Sequence, residues 1–454
     1  MKKLQLYNSL SNSLEIFVPK DENNVRMYAC GPTVYASPHV GNARPLVIFD
    51  VLFRLLKKLY PRVTYVRNIT DVDDKINAGA RERNISIKEL TDEVIAEFHK
   101  STEAIGVLPA TFEPRATLHI SEMLEIIGLL IEKGFAYESE GHVLFRVRKM
   151  SNYGMLSKRN QEDMIAGSRV EVAPYKENPT DFVLWKPSGE GTPAWDSPFG
   201  RGRPGWHIEC SAMSRKYLGE SFDIHAGGQD LIFPHHENEI AQNFGAFGCI
   251  PANYWIHNGM LSVDGRKMSK SLGNIVSLDS ALKLYDGEVV RYVLLSAHYQ
   301  KTLDWTDQSV FQSKQSLNRL YGALRSCNGK SEKVDADPRV IEALCGNLNT
   351  PLALRVLHEI ADQIHRSSDR GEINEFCSLL KSSAEILGLL TKDNYGSAKN
   401  NLAISDNEIE RLIEERRKAK SEKNFKLADE IREELLKNNI CLEDTPEGTT
   451  WHGV

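Results

Sequence analysis

The sequence predicts an α/β fold: a parallel-sheet domain carrying an inserted subdomain, followed by a helical bundle and a small C-terminal domain. Three observations predict it. Apolar strand-like runs alternate with helical patterns over residues 1–110, the order that builds parallel strand–helix–strand units. Gly, Pro and aromatics then become frequent over 111–203 and interrupt the alternation, which resumes afterwards. From about residue 306, apolar residues recur at helical spacing.

The first strand is Val25–Ala29, ending just before Cys30. A Gly-containing turn, Ser37-Pro38-His39-Val40-Gly41-Asn42, leads into a helix marked by Leu46, Ile48, Phe49, Val51, Leu52 and Leu55. Strand, glycine turn, helix is how a Rossmann-type domain presents backbone N–H groups to phosphates. Residues 63–66 are β-branched and aromatic and read as a buried strand, with the polar stretch 68–76 behind it. The span 111–203 holds Trp185, Trp195, Pro193, Pro198, Gly200 and Gly202 and reads as an inserted connective subdomain. The α/β pattern resumes over 204–258 with strand-like runs at 206–210 and 254–257, so 1–110 and 204–258 form the two halves of one domain. Residues 259–305 hold a Lys/Ser-rich loop, and 306–395 form the helical bundle, with Leu317, Leu320, Tyr321 and Leu324 on one helix face. Polar residues 391–407 suit a linker. Ser405 and Glu408 form a capping-box pattern that opens the C-terminal domain, 400–454. Its stretch 408–437 mixes Glu, Lys and Arg, as a solvated helical face does; direct RNA contact is the other reading.

A chain of 454 residues suits about three domains on the ~150-residue scale. Its 41% hydrophobic and 26% charged residues are an ordinary globular balance. A net charge of −6 excludes a blanket of positive charge, though RNA binding needs only a local basic patch. No secretory signal opens the chain and no apolar run approaches the ~18 residues of a membrane helix. The seven cysteines are odd in number and lack paired spacing, so no disulfide framework is expected, and a reducing cytoplasm is.

Three groups of residues carry chemistry. Lys267-Met268-Ser269-Lys270-Ser271 follows a glycine turn, and its two lysines can fold over a polyphosphate and neutralise charge that develops at phosphorus. Alone, such a loop is ordinary solvated surface. His39 and Asn42 lie three apart at a helix start and can face one ligand, with Gly41 letting it approach the backbone. Taken by itself, that element is a helix cap with a surface histidine. Cys30 and Cys210 each end a predicted strand, and His235 and Glu239 are i,i+4 on a helix begun by Pro234. Two thiolates, an imidazole and a carboxylate make a tetrahedral Zn²⁺ site. His236 serves nearly as well as His235 on spacing, and single buried cysteines more often pack as small hydrophobes.

The two phosphate elements together resemble the HIGH and KMSKS signatures of the class I aminoacyl-tRNA synthetases, with Asn42 in place of the last HIGH histidine. Residues 28–35, 68–76, 205–214, 223–239 and 442–451 are similar to the cysteine-specific branch of that family. The resemblance spans essentially the whole chain. It implies a ligase that joins L-cysteine to its tRNA through an adenylate made from ATP. His39, Asn42, Lys267 and Lys270 are then the catalytic residues, and these four with Gly41 hold ATP, accompanied by Mg²⁺. The implied zinc ligands are Cys30, Cys210, His235 and Glu239, one ion per chain. The implied amino-acid pocket is Gly31, Thr70, Trp206 and Asp230, with Asp230 pairing the substrate ammonium. The resemblance makes 400–454 an anticodon-binding domain. Cations Arg411, Arg416, Arg417, Lys418, Lys420 and Lys423 there suit phosphates, and Trp451 suits an unstacked base. A monomer without a membrane partner is expected, because no long exposed apolar helix face is evident. The insertion is shorter than a hydrolytic editing domain, so no proofreading site is expected. A second departure from the family pattern is Asn347, where Asp is frequent. Two rival readings are an ATP-dependent ligase joining cysteine to a small amine and a non-catalytic zinc- and RNA-binding relative.

Overall fold

The computed structural model describes residues 3–159, 173–269, 272–327, 334–392, 406–422, 424–438, 440–445 and 448–453. An N-terminal hairpin pairs β1 (Gln5–Asn8) with β2 (Ser13–Ile16). Then come β3 (Val25–Ala29), α1 (Val40–Leu59), β4 (Val63–Arg67), α2 (Asp74–Arg83) and α3 (Ile87–Ala104). Helix α4 (Ile120–Glu132) precedes four short strands, β5 (Ala136–Ser139), β6 (His142–Phe145), β7 (Phe182–Pro187) and β8 (Gly202–Pro204). These pair in order as one antiparallel sheet. The chain continues through α5 (Trp206–Leu218), β9 (Phe222–Gly228), α6 (Glu237–Phe247) and β10 (Ala252–Asn258).

The central sheet has the order β10-β9-β3-β4, and every pairing in it is parallel. Every residue of β4 and all but the last of β9 are buried. Strands covered on both faces bury nearly every residue in this way. This is the α/β architecture expected from the alternation of runs.

Beyond the sheet come β11 (Leu261–Val263), β12 (Arg266–Lys267), α7 (Leu278–Leu284), α8 (Gly287–Leu295) and β13 (Leu303–Trp305). The helical part follows as α9 (Asp307–Arg325), α10 (Pro338–Cys345), α11 (Thr350–Arg366) and α12 (Arg370–Ile386). One cysteine pair departs from expectation. Cys327, just past α9, is bonded to Cys377 on α12, with 6.4 Å between Cα atoms. A separation of 50 residues leaves no spacing signal in the sequence.

The tail is α13 (Asp406–Ser421), α14 (Phe425–Lys437), β14 (Ile440–Thr445) and β15 (Gly448–Gly453). It has its own core of Ile409, Leu412, Ile413, Ile431, Leu435, Ile440 and Leu442. Trp451 packs against that core and donates its indole N–H to Glu410 at 2.9 Å. The ring expected to stack a base is therefore committed to the tail itself. Ser405 of the expected cap and Lys423 lie outside the described residues. Among the described residues, no helix is long and apolar enough to cross a membrane.

Candidate active site

The C-terminal ends of β3, β4, β9 and β10 surround a cavity of about 450 Å³. Ligands bind at such strand ends in open parallel sheets. The lining includes His39, Gly41, Asn42 and Lys267 from the phosphate elements. It also includes Gly31, Thr70, Trp206 and Asp230, and three of the four metal candidates, Cys30, Cys210 and His235. Lys270 lies outside the described residues.

His39 caps α1. Its Nδ1 accepts the Asn42 backbone N–H at 3.2 Å, and the Asn42 side-chain oxygen accepts the His39 backbone N–H at 3.1 Å. The reciprocal bonds satisfy two of the N–H groups a helix start leaves open. Asn42 thus fixes the cap with its oxygen and keeps its amide N–H groups for other partners. Burial pulls the His39 pKa below its ordinary value, with Asp230 opposing, so the ring is a neutral hydrogen-bonding group near pH 7. A Cβ on Gly41 would come within 2.6 Å of Met268 Cε and 3.0 Å of the His39 ring. An added Cβ would have to push the Met268 methyl aside and crowd the His39 ring, so glycine leaves the two elements room to meet. The chain after the Lys/Ser loop is also bonded to the helix start: Val40 N–H donates to Val276 O at 3.0 Å and Leu278 N–H to Pro38 O at 2.8 Å.

At the other end, Gly31 donates its N–H to Asn68 Oδ1 at 2.8 Å, and a Cβ on Gly31 would fall inside the Asn68 carbonyl. Gly31→Ala should therefore force the backbone apart at the β3–β4 exits. The expected result is a loss of about 1–3 kcal/mol in stability, the usual cost of overpacking, read by thermal or urea unfolding. Thr70 Oγ1 donates to Glu209 Oε2 at 2.9 Å and accepts from Asn68 Nδ2 at 3.2 Å. Trp206 stacks on His235, with centroids 4.3 Å apart and planes at 19°, yet remains 39% exposed. Asp230 is exposed on the cavity wall beyond β9.

Cys210 does not end a strand. It lies on α5, whose residues 208–214 are all buried. Pro234 is likewise not in the first turn of α6, which begins at Glu237; it sits in the kinked π-type turn Ile232–His236. The four candidate ligands still converge. Cys30 Sγ is 3.8 Å from Cys210 Sγ and 3.7 Å from Glu239 Oε1, and His235 Nε2 is 3.1 Å from Glu239 Oε1. Tetrahedral Zn²⁺ with ordinary bond lengths has edges of about 3.8 Å for S–S, about 3.6 Å for S–O and about 3.4 Å for N–O. A second set, Cys30, His225, His236 and Glu239, also lies within ligand reach, with Cys30 Sγ 3.3 Å from His236 Nε2. The two share Cys30 and Glu239. Only the first opens widely to the cavity, through Cys30, Cys210 and His235. Burial raises the Glu239 and Cys30 pKa values well above normal, the nearby Cys210 adding to the latter, and lowers His235 and His236 well below normal. Without a cation, burial thus favours the neutral forms of Cys30, Glu239 and the two imidazoles. A dication reverses that for the thiols and carboxylate, and neutral imidazole is already the ligand form.

Sequence reasoning assigned no role to several groups. Asn68 ties Gly31, Thr70 and, at 3.8 Å, Cys210 Sγ together. His207 Nδ1 lies 3.0 Å from His235 Nδ1, and His257 Nε2 lies 2.8 Å from His236 Nδ1. The one available signal was the polar run 68–76 directly behind a strand.

Known proteins resemble this chain along nearly its whole length. The model described as "tRNA synthetases class I (C) catalytic domain" matches residues 16–315, and a "DALR domain" model matches 339–391. A curated "Cysteine--tRNA ligase" of Paramagnetospirillum magneticum is 51% identical, covering 99% of both chains. Another so named, from Rhodospirillum rubrum, is 50% identical over 99% of both. The Mycobacterium tuberculosis methionyl-tRNA synthetase in complex with methionyl-adenylate matches in fold. Its TM-score is 0.56 at 16% identity, covering 85% of this chain and 95% of that one.

Proposed function

This chain belongs to the cysteine–tRNA ligase family of class I aminoacyl-tRNA synthetases, and we infer that it joins L-cysteine to its tRNA through a cysteinyl-adenylate made from ATP. One observation carries the assignment of the site: the metal-ligand cluster and both phosphate elements open into a single cavity of about 450 Å³. In activation, a cysteine carboxylate oxygen forms a bond to the α-phosphorus. The bond to the bridging oxygen breaks, and pyrophosphate leaves with that electron pair. A hydroxyl of the terminal tRNA ribose then attacks the acyl carbon and releases AMP. No protein nucleophile is needed, so the chain's work is positioning and charge stabilisation.

His39, Asn42 and the α1 start are assigned to the phosphates, with Gly41 admitting them to the backbone. Lys267 and Lys270 are assigned to the charge that develops as pyrophosphate departs, with Mg²⁺ alongside ATP. Asp230 is assigned to the cysteine ammonium, and Gly31, Thr70 and Trp206 to the walls around its side chain. Cys30, Cys210, His235 and Glu239 would hold Zn²⁺. When bound, that ion supplies a soft Lewis-acid seat that separates a thiol from a hydroxyl far better than shape can. Selection is then complete at activation, and no proofreading site is assigned.

Pyrophosphate exchange with each of the twenty amino acids tests this reading. Exchange should depend on cysteine and fail with serine; equal exchange with serine would remove the selecting role of the cluster. Lys267→Ala and Lys270→Ala should each slow exchange by about 10²-fold, the order lost with one charge-stabilising contact, while melting temperature holds. An unchanged rate would remove that lysine from the mechanism.

A further inference from the structure

Arg44 is a charged side chain that none of these roles uses. It lies on α1, two residues beyond Asn42, and is wholly buried. A buried cation ordinarily needs a carboxylate partner. Among the described residues, Arg44 has four carbonyl oxygens instead. Nη1 donates to Gly259 at 2.7 Å and Met260 at 2.6 Å, and Nη2 donates to His298 at 3.3 Å and Lys301 at 2.6 Å. Burial lowers its pKa to about 10, which leaves it charged at neutral pH.

The four carbonyls come from two stretches of chain. Gly259 and Met260 form the turn between β10 and β11 and line the cavity. His298 and Lys301 belong to the turn between α8 and β13. The two turns are pressed together: Gly259 N–H donates to Tyr299 O at 2.7 Å. A Cβ on Gly259 would meet Lys301 O at 2.7 Å and Gln300 O at 2.8 Å. Strand β11 pairs with β13 on one side and with β12 on the other, where Ser262 stands opposite Lys267. One guanidinium, on the helix whose first turn holds His39 and Asn42, thus clamps the base of the hairpin that carries Lys267.

We propose that Arg44 is a positioning residue for adenylate formation, setting the spacing between the α1 phosphate element and the Lys267 hairpin. The inference rests on the ATP-dependent activation proposed above. Lysine cannot replace it, because a single ammonium lacks the planar fork that spans four carbonyls. The clamp touches only the nucleotide side. None of Cys30, Cys210, His235, Glu239, Thr70 or Asp230 bonds to it. Mere packing would affect the whole cavity and the stability together, whereas positioning affects ATP alone.

The test is pyrophosphate exchange by the full chain, with kcat and KM measured separately for ATP and cysteine, alongside zinc content and melting temperature. Two variants are used. Arg44→Lys keeps the charge, and Gly259→Ala displaces the same turn without touching Arg44, so it carries the test if the first fails to fold. In both, kcat/KM for ATP should fall on the order of 10²-fold, the cost of a misplacement of about 1 Å. KM for cysteine and zinc content should stay at the wild-type level. Unchanged ATP kinetics in a folded variant would overturn the proposal, as would a rise in KM for cysteine matching that for ATP. A wild-type protein without cysteine-dependent exchange would overturn the reaction on which the inference rests, and the inference with it.

Discussion

Cys210→Ser should lose bound zinc and cysteine-dependent pyrophosphate exchange together. Cys210 Sγ lies 3.8 Å from Cys30 Sγ, the S–S edge of a tetrahedral site, and both cysteines line the cavity. A neutral hydroxyl is a poor ligand for a borderline-soft ion in a buried site. Loss of an outer-shell partner alone typically costs roughly 10–100-fold in metal affinity, so loss of a direct ligand should exceed 10²-fold. Metal analysis of the purified variant reads the first effect and exchange the second. Full zinc occupancy in Cys210→Ser would exclude this ligand set. A companion pair separates the two histidines. His235→Ala should lose the ion and His236→Ala should keep most of it, because His235 lines the cavity while His236 is bonded back to His257 at 2.8 Å. The opposite outcome would move the ion to the set Cys30, His225, His236 and Glu239.

The parallel sheet was legible because strands covered on both faces are predominantly β-branched and apolar, as Val63, Tyr65 and Val66 of β4 are. The same burial hid α5. Residues 206–210 alternate apolar and polar like a strand, and a helix buried over 208–214 has no polar face to show a helical period. Convergence of Cys30, Cys210, His235 and Glu239 was legible only through family resemblance, since spacing alone leaves His236 open. The Asn68 network could not be read, because it depends on which strand end lies beside which. Asn347 became intelligible only in three dimensions. It sits at a positive φ of 64°, where Asn is tolerated. Its oxygen accepts from Tyr7 N–H at 2.9 Å and Tyr299 O–H at 2.8 Å, and its amide donates to Gln300 Oε1 at 2.8 Å. An aspartate would lose that last donor.

Removing residues 393–454 should leave cysteine-dependent pyrophosphate exchange nearly intact and sharply weaken aminoacylation of tRNA. Every described group assigned to activation lies before residue 270, and the tail has a core of its own. The surface it offers to RNA differs from the one its composition suggests. Arg411 is paired with Glu408 and Glu415, Arg417 with Glu414, and Arg416 is buried, so much of the tail's positive charge on α13 is already engaged within the tail. Trp451 packs against the tail's core, whereas Phe425, at the start of α14, is 63% exposed beside the exposed Lys426. An open ring next to a cation is the arrangement that stacks an unpaired base. Stacking is worth ~1–3 kcal/mol per base, so losing a tail that holds several unstacked bases should lower kcat/KM for tRNA by roughly 10³-fold. Phe425→Ala should reproduce part of that loss without unfolding, while Trp451→Ala should destabilise the tail. Charging by the intact chain should also weaken as salt rises, with a shallow slope, because Arg411 and Arg417 are already paired with glutamates. If the truncated chain charges tRNA as well as the full one, the tail is not an anticodon module, and ligation of cysteine to a small amine becomes the reaction to assay.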